Sequence, residues 1–164
     1  MRKILSGRER SFLFKFLGSF FIIYAAIYAA DYLLPGVFVP LERVIALSEA
    51  SFLSSMEIPA TAVGTTVFAA GISFSMAIEC TGLVMTAMLL CLLYATDQKQ
   101  KKIAYGLLLG IPIIFLFNLA RVLLTLLVAI TYGNATFEAV HALLWFVDAL
   151  VVIAIWAYVT DFKL

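Results

Sequence analysis

The run Ile103–Tyr132, IAYGLLLGIPIIFLFNLARVLLTLLVAITY, carries one charged residue, Arg121, along its whole length. About 20 apolar residues suffice for a helix to cross roughly 30 Å of hydrocarbon, and this run exceeds that. A guanidinium inside such a helix is costly against lipid, so it turns toward the protein interior. Three further runs repeat the pattern. Phe16–Leu34 ends at Pro35-Gly36, a second covers roughly Ala77–Thr96 and is stopped by Asp97–Lys102 (DQKQKK), and the last is His141–Tyr158. The sequence predicts an all-α polytopic membrane protein with about four transmembrane helices, at 16–34, 77–96, 103–132 and 141–158. They form a single membrane-embedded domain over 1–164.

Composition agrees with this reading. Hydrophobic residues make up 65% of the chain and charged ones 13%, which excludes a soluble domain with an ordinary polar surface. The basic N-terminus resembles the start of a signal peptide. Its apolar run, however, outlasts the roughly 7–15 residues of a signal-peptide core, so it reads as a retained helix. The net charge of +1 gives no argument for a nucleic-acid partner, and none is expected. Cys80 and Cys91, on one helix, would stand about 16 Å apart, beyond disulfide reach.

Orientation follows from the basic residues. Arg2, Lys3, Arg8, Arg10 and Lys15 precede the first helix, Lys99, Lys101 and Lys102 lie between the second and third, and Lys163 follows the fourth. Four crossings put these segments on one side, cytoplasmic by the positive-inside rule, with both termini. The segment 35–76 and the turn 133–140 then lie outside. Within the outer segment, Leu41–Ser55 suits an amphipathic helix lying on the interface. Thr65–Ala70 and Ile72–Met76 read as a short β-hairpin around Gly71, leading into Cys80. Gly106 and Gly110 have the small-xxx-small spacing that permits close helix packing. Pro112 is expected to kink the third helix.

Counted up from Asp97, Ile103 and Asp161, the residues Cys80, Arg121 and His141 stand at a common height of roughly 25–30 Å. The third helix continues for several apolar residues past Arg121, which requires either a strong tilt or packing of its last turns beneath the outer segment. Asn118, Arg121 and Thr125 form one polar stripe. Glu138, His141, Trp145 and Asp148 form another, and both are expected to face the bundle interior. Each residue also has a structural reading. A cysteine in a membrane helix is commonly an apolar filler, and Cys91, with only apolar neighbours, is the example here. A histidine at a helix start is commonly interfacial, and Arg121 can pair with Asp31 or Asp148.

Together the three suit nucleophilic chemistry. A thiol with an ordinary pKa near 8.5 is mostly protonated at neutral pH, and an adjacent cation favours the thiolate. His141 would act as general base and then acid, and Arg121 would hold a developing oxyanion. A metal site at Glu79, Cys80 and His141 lacks the usual ligand set. No cofactor is expected. A different class of function also fits the composition: a non-enzymatic assembly factor or small transporter subunit held by buried ion pairs.

Ala77-Ile-Glu-Cys80-Thr-Gly82, then Asn118-Leu-Ala-Arg121-Val122, then His141 resembles the exosortase/archaeosortase family. That family is described by a Cys-Ser/Thr-Gly element, an Asn-x-x-Arg element and a later His. The resemblance implies a prokaryotic cell-membrane transpeptidase acting outside the cytoplasm. Its substrates would be proteins with a C-terminal sorting signal, made of a motif, a hydrophobic helix and a basic tail. The new C-terminus would pass to an acceptor, a lipid or surface component. It further implies Cys80 as nucleophile, Arg121 as thiolate or oxyanion partner and His141 as acid/base, with Asn118 and Gly82 as motif support. Glu79, beside Cys80, and Asp148, on the inward stripe of the last helix, are supporting candidates from their positions alone. Many members carry extra helices, so a membrane partner or a homo-oligomer is a natural expectation.

Overall fold

The computed structural model describes residues 7–161, and of Asn134 and Ala135 the backbone alone. Arg2, Lys3 and Lys163, which carry part of the orientation argument, lie outside the described residues. Five α-helices dominate: α1 Gly7–Leu33, α2 Val39–Ser55, α3 Leu83–Ala95, α4 Gln100–Tyr132 and α5 Asn134–Thr160. Three of them (α1, α4 and α5) are long and apolar enough to cross a membrane. Between α2 and α3 lie three short strands, β1 Ala60–Val63, β2 Thr66–Ala69 and β3 Ile72–Ser75, in an antiparallel sheet of order β1-β2-β3. The chain is a polytopic helical membrane protein with a small sheet at one end.

The expected outer helix is α2. Pro40 sits in its first turn, where a missing N–H costs nothing. Ile45, Glu49 and Leu53 follow at four-residue spacing on the buried face, beside Ala46 and Ala50. The expected hairpin is β2–β3, with Ala70-Gly71 as its turn and Gly71 at φ +78°. A third strand, β1, adds to it across Gly64-Thr65 with Val63 opposite Thr66. Four residues of Ala, Thr and Val carry too short an alternation to separate β1 from loop in the sequence.

The helix expected over 77–96 is two pieces. Residues Ile78–Thr81 form a 3-10 turn, and α3 begins after Gly82. Gly82 takes φ +75°, a left-handed conformation that glycine adopts without steric cost. The Thr81 hydroxyl donates to the Ile78 carbonyl at 2.6 Å, closing the turn. The turn expected over 133–140 is likewise confined to Gly133, and α5 starts at Asn134.

Two cores follow the length of the bundle. One joins α2 and the sheet to the second half of α4, through Ile45, Leu53, Val67, Met76, Val122 and Leu126. The last turns of α4 therefore pack against α2 and the sheet, which accounts for the apparent excess length of that helix. The other joins α3, α5 and the first half of α4 through Leu89, Leu93, Ile114, Val152 and Ile155, with Phe12 and Phe16 of α1 against it. Gly106 and Gly110 lie where a Cβ would run into Leu93 and Leu89 respectively. The α4 helix continues through Pro112 without interruption. At the opposite end from the sheet, Lys15 pairs with Asp97 at 2.6 Å and Lys102 with Asp161 at 2.8 Å.

Candidate active site

Cys80 is half-buried and sits in the 3-10 turn, its N–H donating to the Ala77 carbonyl at 2.8 Å. Its own carbonyl accepts a hydrogen bond from Asn118 Nδ2. The Asn118 side chain is divided between two tasks, because its Oδ1 accepts from Arg121 Nη2 at 3.0 Å. The same Nη2 donates to the Glu79 carbonyl at 3.1 Å. Asn118 and Arg121, one turn apart on α4, thus hold the two main-chain carbonyls that flank Cys80, its own and that of Glu79. This is a physical use for an Asn-x-x-Arg spacing: i and i+3 side chains share a helix face.

Arg121 is buried at 3% exposure, and its partner is Asp148 of α5, also buried. Nε lies 3.0 Å from Asp148 Oδ2, close enough for an ion pair but without the alignment of a directed hydrogen bond. Nη1 has no hydrogen-bond partner. Of the two counter-ions open in the sequence, Asp31 and Asp148, the second is the one that meets the guanidinium. The stripe on α5 runs inward as expected, from exposed Glu138 through half-buried His141 and Trp145 to buried Asp148.

A cavity of about 320 Å³ brings the candidates together. Ile72–Met76 line one side, Phe137, Glu138 and His141 of α5 line another, and Cys80 lies between with Val122, Thr125 and Leu126 of α4. Cys80 and His141 therefore share one open space, while Arg121 is buried beside it. The His141 ring stacks on Phe137, with centroids 5.6 Å apart at 15°, and Phe137 meets Phe74 of β3 at 6.3 Å. Thr125 turns its hydroxyl back to the Arg121 carbonyl at 2.7 Å. Cys91 is buried among the apolar residues of α3.

Several features of the structure were not evident from sequence. Tyr28 of α1 donates its hydroxyl to Glu79 Oε1 at 2.6 Å, tying the first helix to the turn that carries Cys80. The clue lay in an aromatic ladder at four-residue spacing, Phe16, Phe20, Tyr24, Tyr28, which turns polar toward the Cys80 end. Phe74 and Phe137 read as ordinary apolar residues until the fold brings them together. Glu49 is fully buried on α2 with neither carboxyl oxygen bonded, and burial pushes its carboxyl pKa up to about 8. Among the described residues no three His, Cys, Asp or Glu side chains gather as a metal ion would need.

No curated protein and no solved structure matches the chain. The transmembrane exosortase family model matches residues 4–157, nearly the whole length and all of the residues described around the cavity. The chain belongs to the transmembrane exosortase family.

Proposed function

We propose that the protein is a cysteine-dependent membrane transpeptidase that cuts C-terminal sorting signals of surface proteins. Cys80 is its nucleophile, His141 its acid/base and Arg121 its electrostatic partner. The observation that carries this reading is the single cavity lined by both Cys80 and His141, with the Arg121 guanidinium buried next to it. His141 takes the thiol proton as Cys80 Sγ attacks the scissile carbonyl. The oxyanion that forms is stabilised by the Arg121 charge, which has one nitrogen uncommitted within the protein. The C–N bond then breaks, His141 returns the proton to the leaving amine, and a thioester remains on Cys80. An acceptor nucleophile or water resolves it and frees the thiol.

The cavity lies at the sheet end of the bundle, which is extracytoplasmic if the basic end, with Lys15, Lys99, Lys101 and Lys102, faces the cytoplasm. That arrangement suits substrates whose motif precedes a membrane helix and a basic tail, with a lipid or surface component as acceptor. The decisive experiment compares, by mass spectrometry, the C-termini of membrane-associated proteins in the native host carrying wild-type protein or Cys80→Ala. Retained hydrophobic tails in the variant are the expected result. Unchanged C-termini, with the variant present at normal level, would exclude Cys80 as a processing nucleophile.

The second reading, a non-enzymatic assembly factor or transporter subunit, draws on the buried Arg121–Asp148 pair, since intramembrane charge also marks structural and transport roles. It requires function to survive Cys80→Ala and to fail in Asp148→Ala.

A further inference from the structure

Strand β3 is an edge strand: β2 pairs one side of it, and no strand pairs the other among the described residues. The phase of the ladder determines which main-chain groups are free. Met76 N–H donates to the Thr65 carbonyl at 2.8 Å, and the register sets Phe74 opposite Val67 and Ile72 opposite Ala69. Hydrogen-bonded and non-hydrogen-bonded pairs alternate in an antiparallel ladder. Ile72, Phe74 and Met76 therefore bond toward β2, whereas Ser73 and Ser75 point N–H and C=O away from the sheet. All five residues Ile72–Met76 line the cavity. Side chains of a strand alternate between faces, so what five successive residues have in common is the strand's outer edge. That edge borders the same space as Cys80 and His141.

We propose that the free edge of β3, at Ser73 and Ser75, receives an extended segment of the substrate polypeptide as a fourth strand and so delivers its scissile carbonyl to Cys80. This rests on the transpeptidase reading above. The occupant follows from complementarity. Two sets of outward N–H and C=O groups, about 7 Å apart along the strand, match the repeat of an extended main chain. A helix has its main-chain groups already bonded internally, and a lipid headgroup or sugar has no donor–acceptor pair at that repeat. The chemistry asks for the same conformation, because a nucleophile reaches an amide carbonyl only where helical bonding has been given up. Ser73 and Ser75 are exposed, and their small side chains leave the edge open to an incoming chain.

The test uses proline. Ser73→Pro or Ser75→Pro deletes one outward N–H and leaves the bonds to β2 in place. The substrate is a host protein whose tail is retained in the Cys80→Ala strain. Each proline variant is expected to cut it about tenfold more slowly, the worth of one good hydrogen bond. Alkylation of Cys80 by iodoacetamide should stay near the wild-type rate. A second measurement holds if a proline variant fails to accumulate. Ser73→Cys, in protein lacking Cys80 and Cys91, is probed for disulfides with single cysteines placed through the substrate residues before the cut. Strand pairing requires cross-links at every second substrate position; a helical period or no cross-link overturns the proposal. Tails retained in Cys80→Ala, with both proline variants cutting at the wild-type rate, overturn the strand proposal alone. No retained tails in Cys80→Ala overturn the functional reading, and the strand proposal with it.

Discussion

Arg121 and Asp148 form a buried ion pair between α4 and α5, with Nε 3.0 Å from Oδ2 and side-chain exposures of 1% and 5%. Removing one member leaves the other charge buried and uncompensated, which costs about 3–5 kcal/mol. Asp148→Ala is therefore expected to lower the unfolding midpoint of the detergent-solubilised protein sharply. The double variant Arg121→Met/Asp148→Leu should regain only part of the loss. Arg121 also donates to Glu79 and Asn118, and those acceptors would be left unpaired. Full recovery in the double variant would mean that the guanidinium holds nothing but its counter-ion.

Cys80 and His141 separate chemistry from folding, since both line the cavity and neither belongs to the buried ion pair. Cys80→Ala is expected to abolish tail cleavage with little change in the unfolding midpoint. His141→Gln should slow cleavage by about 10²–10⁴-fold, the range of a lost general acid/base. The check is a time course of substrate processing in membranes with matched protein levels. A His141→Gln protein that cuts at the wild-type rate would remove the imidazole from the proton transfers.

The parts of this arrangement that were legible in the sequence are those written as long runs or as spaced polar residues in apolar surroundings. Arg121 stands out in the Ile103–Tyr132 run, and Asn118 one turn earlier points the same way. The amphipathic spacing of α2 and the alternation of Ile72–Ser75 survive because one face of α2 is buried and one face of the strand half-buried. Other features depend on contacts between distant residues. Nothing local says that Cys80 sits in a 3-10 turn rather than in α3; that depends on Gly82 being left-handed and on Asn118 and Arg121 holding the turn from another helix. The choice of Asp148 over Asp31, and the cluster of Phe74, Phe137 and His141, depend on packing between elements and have no signature of their own.

Gly110 tests the packing of α4 on α3. A Cβ there would collide with Leu89, which is 0% exposed, and would also press on Ile155 at 3.3 Å. Overpacking a filled core costs about 1–3 kcal/mol, more than the helix-propensity gain of at most about 1 kcal/mol from replacing glycine. Gly110→Val is expected to lower thermal stability in detergent, and Leu89→Ala in the same chain should restore part of it by making room. Additive losses in the pair would show that the two side chains do not meet.

Glu49 gives the fold a pH dependence that can be worked out in sign. Its carboxyl is fully buried without a partner, and burial raises its pKa from an ordinary carboxylate value to about 8. Between those two values the unfolded chain has lost the proton and the folded one keeps it, so the folded state binds more protons and stability falls as pH rises. The loss begins near the ordinary carboxylate pKa and is complete above about pH 8. Glu49→Gln cannot ionise, and its stability should be flatter over that window, with its advantage over wild type greatest at the alkaline end. Unfolding midpoints of both proteins from pH 5 to 9 provide the comparison. Parallel curves would mean that Glu49 ionises as readily in the fold as outside it, and that its burial among Ile45, Ala46, Ala50 and Leu53 is compensated by some other group.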